Sequence, residues 1–428
     1  MKGNKRSTSD IISTLPNNII ENILKALPLR DAVRTSILSS KWRYKWVTLP
    51  QLAFSDQFFQ KGWDNEILKA VVYQVLLLHQ GPLIKFQLED PPFESCIDIN
   101  NWIFILSTKN IEEFSLSIRR GPNHEIPRHL YSFLRLRELK LYKCVFKPPT
   151  TFKGFSRLVN LNFYYVNISA QRWEAFISNC PLLEQLTLRH CSAFKSLKIN
   201  APNLKGFDFL GELKSLSLEN TPLLAELSVG LFPWGRNIDR PEVEKESEWV
   251  KFFHSLPAIE DMLLDRTFLE AYATINVPER LPSTMDHLKG LSLTGFDYSS
   301  LVHVSWALCL LRSSPNLLKL QSCISNDDPV NDPVVEFFQA QDFSEFSLNK
   351  LQKVKIWFFS GAEPEMHFVK ILLAHSAVLK KMVILYERKM SSENGFAMLK
   401  ELTRFPRASP KAEVIICEAP DMKYGVVV

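Results

Sequence analysis

Few residues in this chain stand at spacings that could do chemistry. His190 and Cys191 are adjacent, and a thiol nucleophile needs an imidazole within reach. Neighbours on a strand point to opposite faces, however, which separates the two groups. His124 and His129 share a proline-bearing loop with no third metal ligand in view. His367 and His375 are eight residues apart, two helical turns, too far to hold one metal ion between them. Glu242, Glu244 and Glu246 read as a solvated charge run. Neither a Walker-type phosphate loop nor G-x-S-x-G nor H-E-x-x-H occurs. The seven cysteines are scattered and include no C-x-x-C, so buried free thiols are expected rather than disulfides or a zinc site. The expectation is a non-catalytic chain without metal or cofactor.

The stretch KWRYKW, Lys41 to Trp46, offers a different chemistry. Two tryptophans sit four apart among Lys41, Arg43 and Lys45. Interleaved rings and cations suit a nucleic-acid surface. They equally suit a short helix that packs its rings inward and turns its charges out. The charge distribution helps to choose. The chain carries +5 overall, and residues 1–50 hold nine Lys/Arg against three acids, so the excess belongs to this segment alone. A local excess favours an acidic partner for the segment and ranks nucleic acid last.

Length sets the frame for these groups. A chain of 428 residues, 46% hydrophobic and 23% charged, is folded and holds two or three domains or an elongated repeat array. No apolar run approaches the roughly 20 residues of a membrane span. The polar start MKGNKRSTSD lacks a signal-peptide core. Nucleus or cytoplasm is the expected location, not the secretory route or a membrane.

The segment LPNNIIENILKALPLRDAVRTSILSSKWRYKW reads as three short helices. Pro16 opens the first, and Ile19, Ile20, Ile23, Leu24 and Leu27 fall on its apolar face. Pro28 ends it. Asp31 is the expected cap of the second. Ser39 or Ser40 caps a third, on which Trp42 and Trp46 share a face. Domains this small rarely bury such an apolar surface alone, and a partner is the simplest remedy. The ordered pattern Leu15-Pro16, Ile19, Ile23-Leu24, Leu27-Pro28-Leu29, Asp31, Val33, TSILSSKWR and Trp46 resembles the plant form of the F-box. The resemblance implies docking onto the Skp-type adaptor of a cullin–RING ubiquitin ligase. The implied adaptor-facing residues are Leu15, Pro16, Ile19, Ile23, Leu24, Leu27, Pro28 and Trp46. Arg34, Lys41 and Arg43 would support them against an acidic adaptor, and Trp42 would close the helical core.

From residue 80 onward one pattern recurs, apolar-x-x-apolar-x-apolar. It runs through Leu83-Phe86-Leu88, Ile111-Phe114-Leu116, Leu136-Leu139-Leu141, Leu158-Leu161-Phe163, Leu183-Leu186-Leu188 and Phe194-Leu197-Ile199. Leu204-Phe207-Phe209, Leu213-Leu216-Leu218, Leu224-Leu227-Val229, Ile259-Met262-Leu264 and Leu288-Leu291-Leu293 follow. Weaker copies are Leu317-Leu320, Leu351-Val354-Ile356 and Leu379-Met382-Ile384. Several copies follow an apolar helical stretch and a break, as in FISNCPLLEQLTL. Helix, turn and short strand in series are the signature of leucine-rich repeats, whose parallel strands line a solenoid. Between residues 183 and 224 the spacing drops to 9–11, which leaves no room for helices and predicts turns or extended joins. GRNIDRPEVEKESE, 235–248, reads as an exposed excursion.

The fold class expected is α/β: a three-helix F-box (8–56), an irregular leucine-rich-repeat solenoid (80–345) with strands on the concave face, and a capping C-terminal unit (346–420). The last part resembles the FBD region of plant F-box/FBD/LRR-repeat proteins. Residues between the pattern positions point outward. The candidates to face a target are Lys140, Tyr142, Asn162, Tyr164, Thr187, Arg189, Lys198, Asp208, Lys355 and Trp357. The resemblance implies a substrate-recognition subunit of an SCF-type ligase, with the F-box on the adaptor and, through it, cullin, and the repeats on an unidentified target protein. A scaffold acting outside a ligase, or a sensor with a small molecule among Tyr142, Tyr164 and Arg189, stays open.

Overall fold

The computed structural model describes residues 11–55, 57–59, 64–192, 194–231, 252–271, 277–324, 332–386 and 392–420. The charge run of Glu242, Glu244 and Glu246, the excursion at 235–248 and the first residues of the expected F-box lie outside them. The chain divides into two compact units, Met1–Ser192 and Ala193–Val428.

In the N-terminal unit, six parallel strands neighbour one another in the order β1 (Gln51–Phe54), β2 (Lys85–Glu89), β3 (Glu113–Ser117), β5 (Glu138–Tyr142), β7 (Asn160–Tyr164) and β8 (Gln185–Arg189). The short strands β4 (His124–Glu125) and β6 (Cys144–Val145) form a separate pair. The pattern residues explain the sheet. Leu52, Phe86, Phe114, Leu139, Leu161 and Leu186 stand in one ladder, and Phe54, Leu88, Leu116, Leu141, Phe163 and Leu188 in the next. All twelve are buried. Each such side chain contributes about 1.5–3 kcal/mol by leaving water. The return path from strand to strand runs through helices Asn65–Leu78, Ile97–Ser107 and Ala170–Ile177, through the 3-10 turn Arg128–Ser132 before β5, and between β5 and β7 through β6 and loop. Strand β1 follows the same rule, as Leu49-Leu52-Phe54. It joins the N-terminal helices directly to the sheet and adds a copy that the sequence reading did not count.

All fourteen pattern copies are strands or lead directly into one, but not all share a sheet. In the C-terminal unit the parallel order is β10 (Gly206–Gly211), β12 (Glu226–Leu231), β13 (Asp261–Asp265), β14 (Gly290–Phe296), β15 (Lys319–Ile324), β16 (Lys353–Phe359), β17 (Lys381–Tyr386) and β18 (Glu413–Glu418). The strands β9 (Phe194–Asn200) and β11 (Leu213–Glu219) pair only with each other. Strand β11 is the crossover between β10 and β12, the place a helix takes elsewhere. In the close spacing at 183–224 a strand thus stands where a helix would, and the joins at 201–205 and 220–225 are turns, one of the two forms expected.

The copy Leu317-Leu320 is weak because its third position is Ser322. Ser322 is buried in the ladder between Leu293 and Ile356. The buried Tyr298 hydroxyl donates to its Oγ at 3.0 Å, so the polar atom is satisfied. A second buried polar group holds the helical repeat between β16 and β17. Glu365, 4% exposed, is the third residue of helix Glu363–His375 and accepts from the Ser360 and Gly361 amides at 2.8 and 2.9 Å and from Ser360 Oγ at 2.8 Å. Burial pushes its carboxyl above the usual range, and these donors offset part of that. Glu365→Ala should destabilise the protein by about 2–3 kcal/mol, since three donors lose their acceptor. Glu365→Gln should retain part of the loss, and urea midpoints of the two variants check this.

Candidate functional site

The N-terminal segment is built around few residues. Helix Asn17–Ala26 starts after Pro16, which is extended (φ −57°, ψ 149°) and accepts from the Ile19 and Ile20 amides at 3.1 Å. Helix Leu29–Arg34 starts the same way after Pro28, so Asp31 sits in its first turn rather than at its cap. The expected third helix is absent. Trp42 lies in turns and Trp46 in the 3-10 turn Lys45–Thr48, yet both rings are buried, with Ile20, Leu24, Leu29 and Ala32. Trp42 Nε1 donates to the Ile12 carbonyl at 3.1 Å, and the Lys41 ammonium donates to the Leu15 carbonyl. These bonds tie residues 12–15 to the rest of the segment.

The predicted adaptor-facing residues divide accordingly. Ile19 and Ile23, one helical turn apart, are 40% and 37% exposed. Pro16 and Pro28 are exposed, and Leu15 and Leu27 are half-buried. Leu24 lies instead in the segment's own core, because the period that places residues on one helical face spans both sides of its edge, and Trp46 is buried there from the 3-10 turn Lys45–Thr48. Arg43 is exposed, and the exposed Arg34 approaches Asp31 at 3.7 Å. Sequence reasoning passed over Ile12, Ile37, Leu38 and Tyr44, all exposed. Their signal was apolar character in a stretch too irregular to assign to a face.

The outward residues of the N-terminal unit stand in register. Gln87, Ser115, Lys140, Asn162 and Thr187 form one ladder; Glu89, Ser117, Tyr142, Tyr164 and Arg189 form the next. Lys140 reaches Glu89 at 3.3 Å. Tyr142 and Tyr164 stack at 6.5 Å, and Arg119 lies over the Tyr142 ring at 5.7 Å. Tyr165 and His190 follow at strand ends with φ of 55° and 53°, backbone that a bulky side chain rarely adopts, and their rings stack at 4.6 Å. His190 is thus past the strand, not on it. Its partner in sequence, Cys191, is pushed up to about 12 by burial, while burial lowers His190. Both shifts oppose a thiolate–imidazolium pair.

In the C-terminal unit, Asp208 lies on β10 opposite Ser228. Lys355 and Trp357 share β16, with the ammonium 3.8 Å from the ring centroid. Lys198 does not join these rows. It lies on β9, opposite Ser217 of β11, in the crossover layer.

The cysteines and the other histidines singled out by spacing are placed as follows. Cys144, Cys180 and Cys309 are buried, and burial raises each to about 12; Cys96, Cys191 and Cys323 are half-buried, and Cys417 is exposed. His367 approaches Glu363 at 3.7 Å, and His375 Nδ1 lies 2.9 Å from the Phe346 carbonyl. Among the described residues no three of His, Cys, Asp or Glu gather as metal ligands. His124 lies on β4 rather than in a loop, 3% exposed, with Nδ1 2.8 Å from Ser95 Oγ. Burial lowers it from 6.5 to about 4. The folded state thus binds this proton less readily than the unfolded chain. Its contribution to stability is complete above pH 6.5 and is lost as the pH falls towards 4. His124→Gln should remove on the order of 2 kcal/mol of that pH dependence, read from urea midpoints across the window.

Known proteins share this arrangement. The F-box domain family matches residues 12–51, and the leucine-rich-repeat domain family of At1g61320/AtMIF1 matches residues 79–394. An F-box/FBD/LRR-repeat protein of Arabidopsis thaliana, At1g13570, is 37% identical over 96% of this chain and 99% of its own length. The FBD-associated F-box protein At5g22730 of the same plant is 25% identical over 95% of this chain and 94% of its own. The F-box/LRR-repeat protein At3g03360, also from Arabidopsis thaliana, is 24% identical over 74% of this chain and 70% of its own. With an F-box segment leading into in-register leucine-rich strands over nearly the whole length of such a relative, the chain belongs to the F-box/FBD/LRR-repeat proteins.

Proposed function

We propose that this protein is the substrate-recognition subunit of an SCF-type ubiquitin ligase. F-box proteins with leucine-rich repeats serve in general as substrate adaptors of such ligases. The F-box segment docks a Skp-type adaptor, the outward strand residues hold a target protein, and the chain performs no bond chemistry itself. Ubiquitin transfer follows from proximity, because the assembled ligase raises the effective concentration of the target's lysines at the ubiquitin carrier. The observation that carries the reading is the pair Ile19 and Ile23, exposed on a helix whose other face already completes the segment's core. An apolar pair left outside a finished core fits an interface of about 1,600 Å² dominated by a few anchors.

The test is co-purification of the full chain with a Skp-type adaptor and cullin, beside Leu15→Ala/Pro16→Ala. Capture by wild type and loss in the folded variant supports the reading. Failure of folded wild type to capture adaptor overturns it. A protein target is favoured over a small molecule among Tyr142, Tyr164 and Arg189 because Tyr142 and Tyr164 already pack on each other.

A further inference from the structure

Strands β15, β16 and β17 bring three lysines into one row. Lys353 is in register with Lys319 on one side and Lys381 on the other. All three are exposed, and none makes an ion pair with a described residue. Neighbouring strands lie about 4.8 Å apart, so the row is about 10 Å long. Like charges directly opposite one another destabilise a sheet, so the fold gains nothing from this row. The row is also bounded. Gly290 stands beside Lys319, and Glu413 beside Lys381.

In the next row along the same strands the surface turns apolar on β17 and β18, where Val383 and Ile415 are in register and half-buried beside Lys355 and Gln321. Trp357 follows on β16 and lines a small cavity with Leu263 and Cys323. An apolar centre with a polar rim is the anatomy of a protein-docking surface, and tryptophan is among its commonest anchors.

We propose that this face binds an acidic amphipathic helix of the target protein. The proposal rests on the reading of the repeats as a target-binding surface and names the chemistry that surface selects. Carboxylates at positions i, i+4 and i+7 of a helix span about 10.5 Å, which matches the lysine row. Apolar residues on the adjoining stripe then meet Val383, Ile415 and the Trp357 ring. Duplex DNA presents a charge every ~1.7 Å of its axis and asks for a longer basic track than a row closed by Glu413.

The test uses the full chain and a fluorescein-labelled helical peptide with Glu at i, i+4 and i+7 and Leu on the neighbouring stripe. A matched peptide carries Gln for Glu, and a single-stranded thymidine oligonucleotide is the third probe. Fluorescence anisotropy should give a Kd of about 100 µM or tighter for the Glu peptide, and binding about tenfold or more weaker for the Gln peptide. Lys353→Glu/Lys381→Glu should lose the Glu peptide by a similar factor with unchanged circular dichroism, since both sites are solvent-exposed. Trp357→Ala should weaken it about fivefold or more, as truncating an interface anchor costs over 1 kcal/mol. No saturable binding of the Glu peptide up to about 1 mM overturns the proposal. Equal binding of the Gln peptide, or retained binding by the charge-reversed variant, does so too. Oligonucleotide binding tighter than the peptide's and lost on charge reversal also overturns it, as a nucleic-acid surface. Adaptor capture by the same preparation is scored separately. Its loss beside intact peptide binding sinks the ligase reading and leaves this surface standing.

Discussion

Replacing Ile19 and Ile23 together with Asp should remove capture of a Skp-type adaptor while the protein stays folded. The two side chains are 40% and 37% exposed, so charging them leaves the segment's own core intact. Stability should change by less than about 1 kcal/mol, as for surface substitutions in general. In the proposed complex the same positions would be desolvated, and each buried carboxylate there would have to be paired or protonated. Two anchors at about 2 kcal/mol or more apiece correspond to a loss of more than 100-fold in affinity. Titration calorimetry of the adaptor against both proteins, with circular dichroism as the folding control, measures it. Wild-type affinity in the double variant would remove the F-box face from the interaction. Leu24→Ala and Trp46→Ala are instructive for the opposite reason. Both side chains are buried within the segment, so these variants should lose the fold first, and their failure to bind would say nothing about contact.

Phe146→Ala should cost about 3–5 kcal/mol, a loss of stability at the top of the range for a core substitution. The ring is fully buried and lies 5.4 Å from Tyr131, 5.1 Å from Phe163 and 5.1 Å from Phe176. Phe152 and Phe155 extend the same cluster around Phe176. These rings fill the crossover between β5 and β7, which has no helix. Truncating the central ring leaves a cavity that several rings cannot fill at once without leaving their rotamers. In a repeat array each repeat contacts its neighbours, so the damage should be local. Hydrogen exchange should rise most in peptides covering residues 128–177. Uniform loss of protection over both units, or a change below about 1 kcal/mol, would contradict this account of the cluster.

The aromatic cluster also marks where reading the sequence stopped. Phe146, Phe152 and Phe155 lie in loop stretches without period, so nothing in their spacing announced that they replace a helix. The strand copies were legible because a two-residue alternation repeated many times leaves only one way to bury its apolar members. Ser322 shows the limit from the other side. Its polar side chain weakened the copy around Leu317 and Leu320, and only Tyr298, 24 residues earlier, makes it a satisfied core position.

The sequence by itself determined the alternation of the fourteen pattern copies, the order of F-box and repeats, and the family. All of these rest on local pattern and its repetition along the chain. Only the tertiary structure decided which strands share a sheet. It sent β9 and β11 to a pair of their own and took Lys198 off the candidate target face, because alternation says which way a residue points and not which neighbour its backbone finds. It also decided which side of the F-box helix is finished. Ile19 and Ile20 are equal as letters, and burial separates them only when Trp42 and Trp46 return to close one side and leave the other exposed.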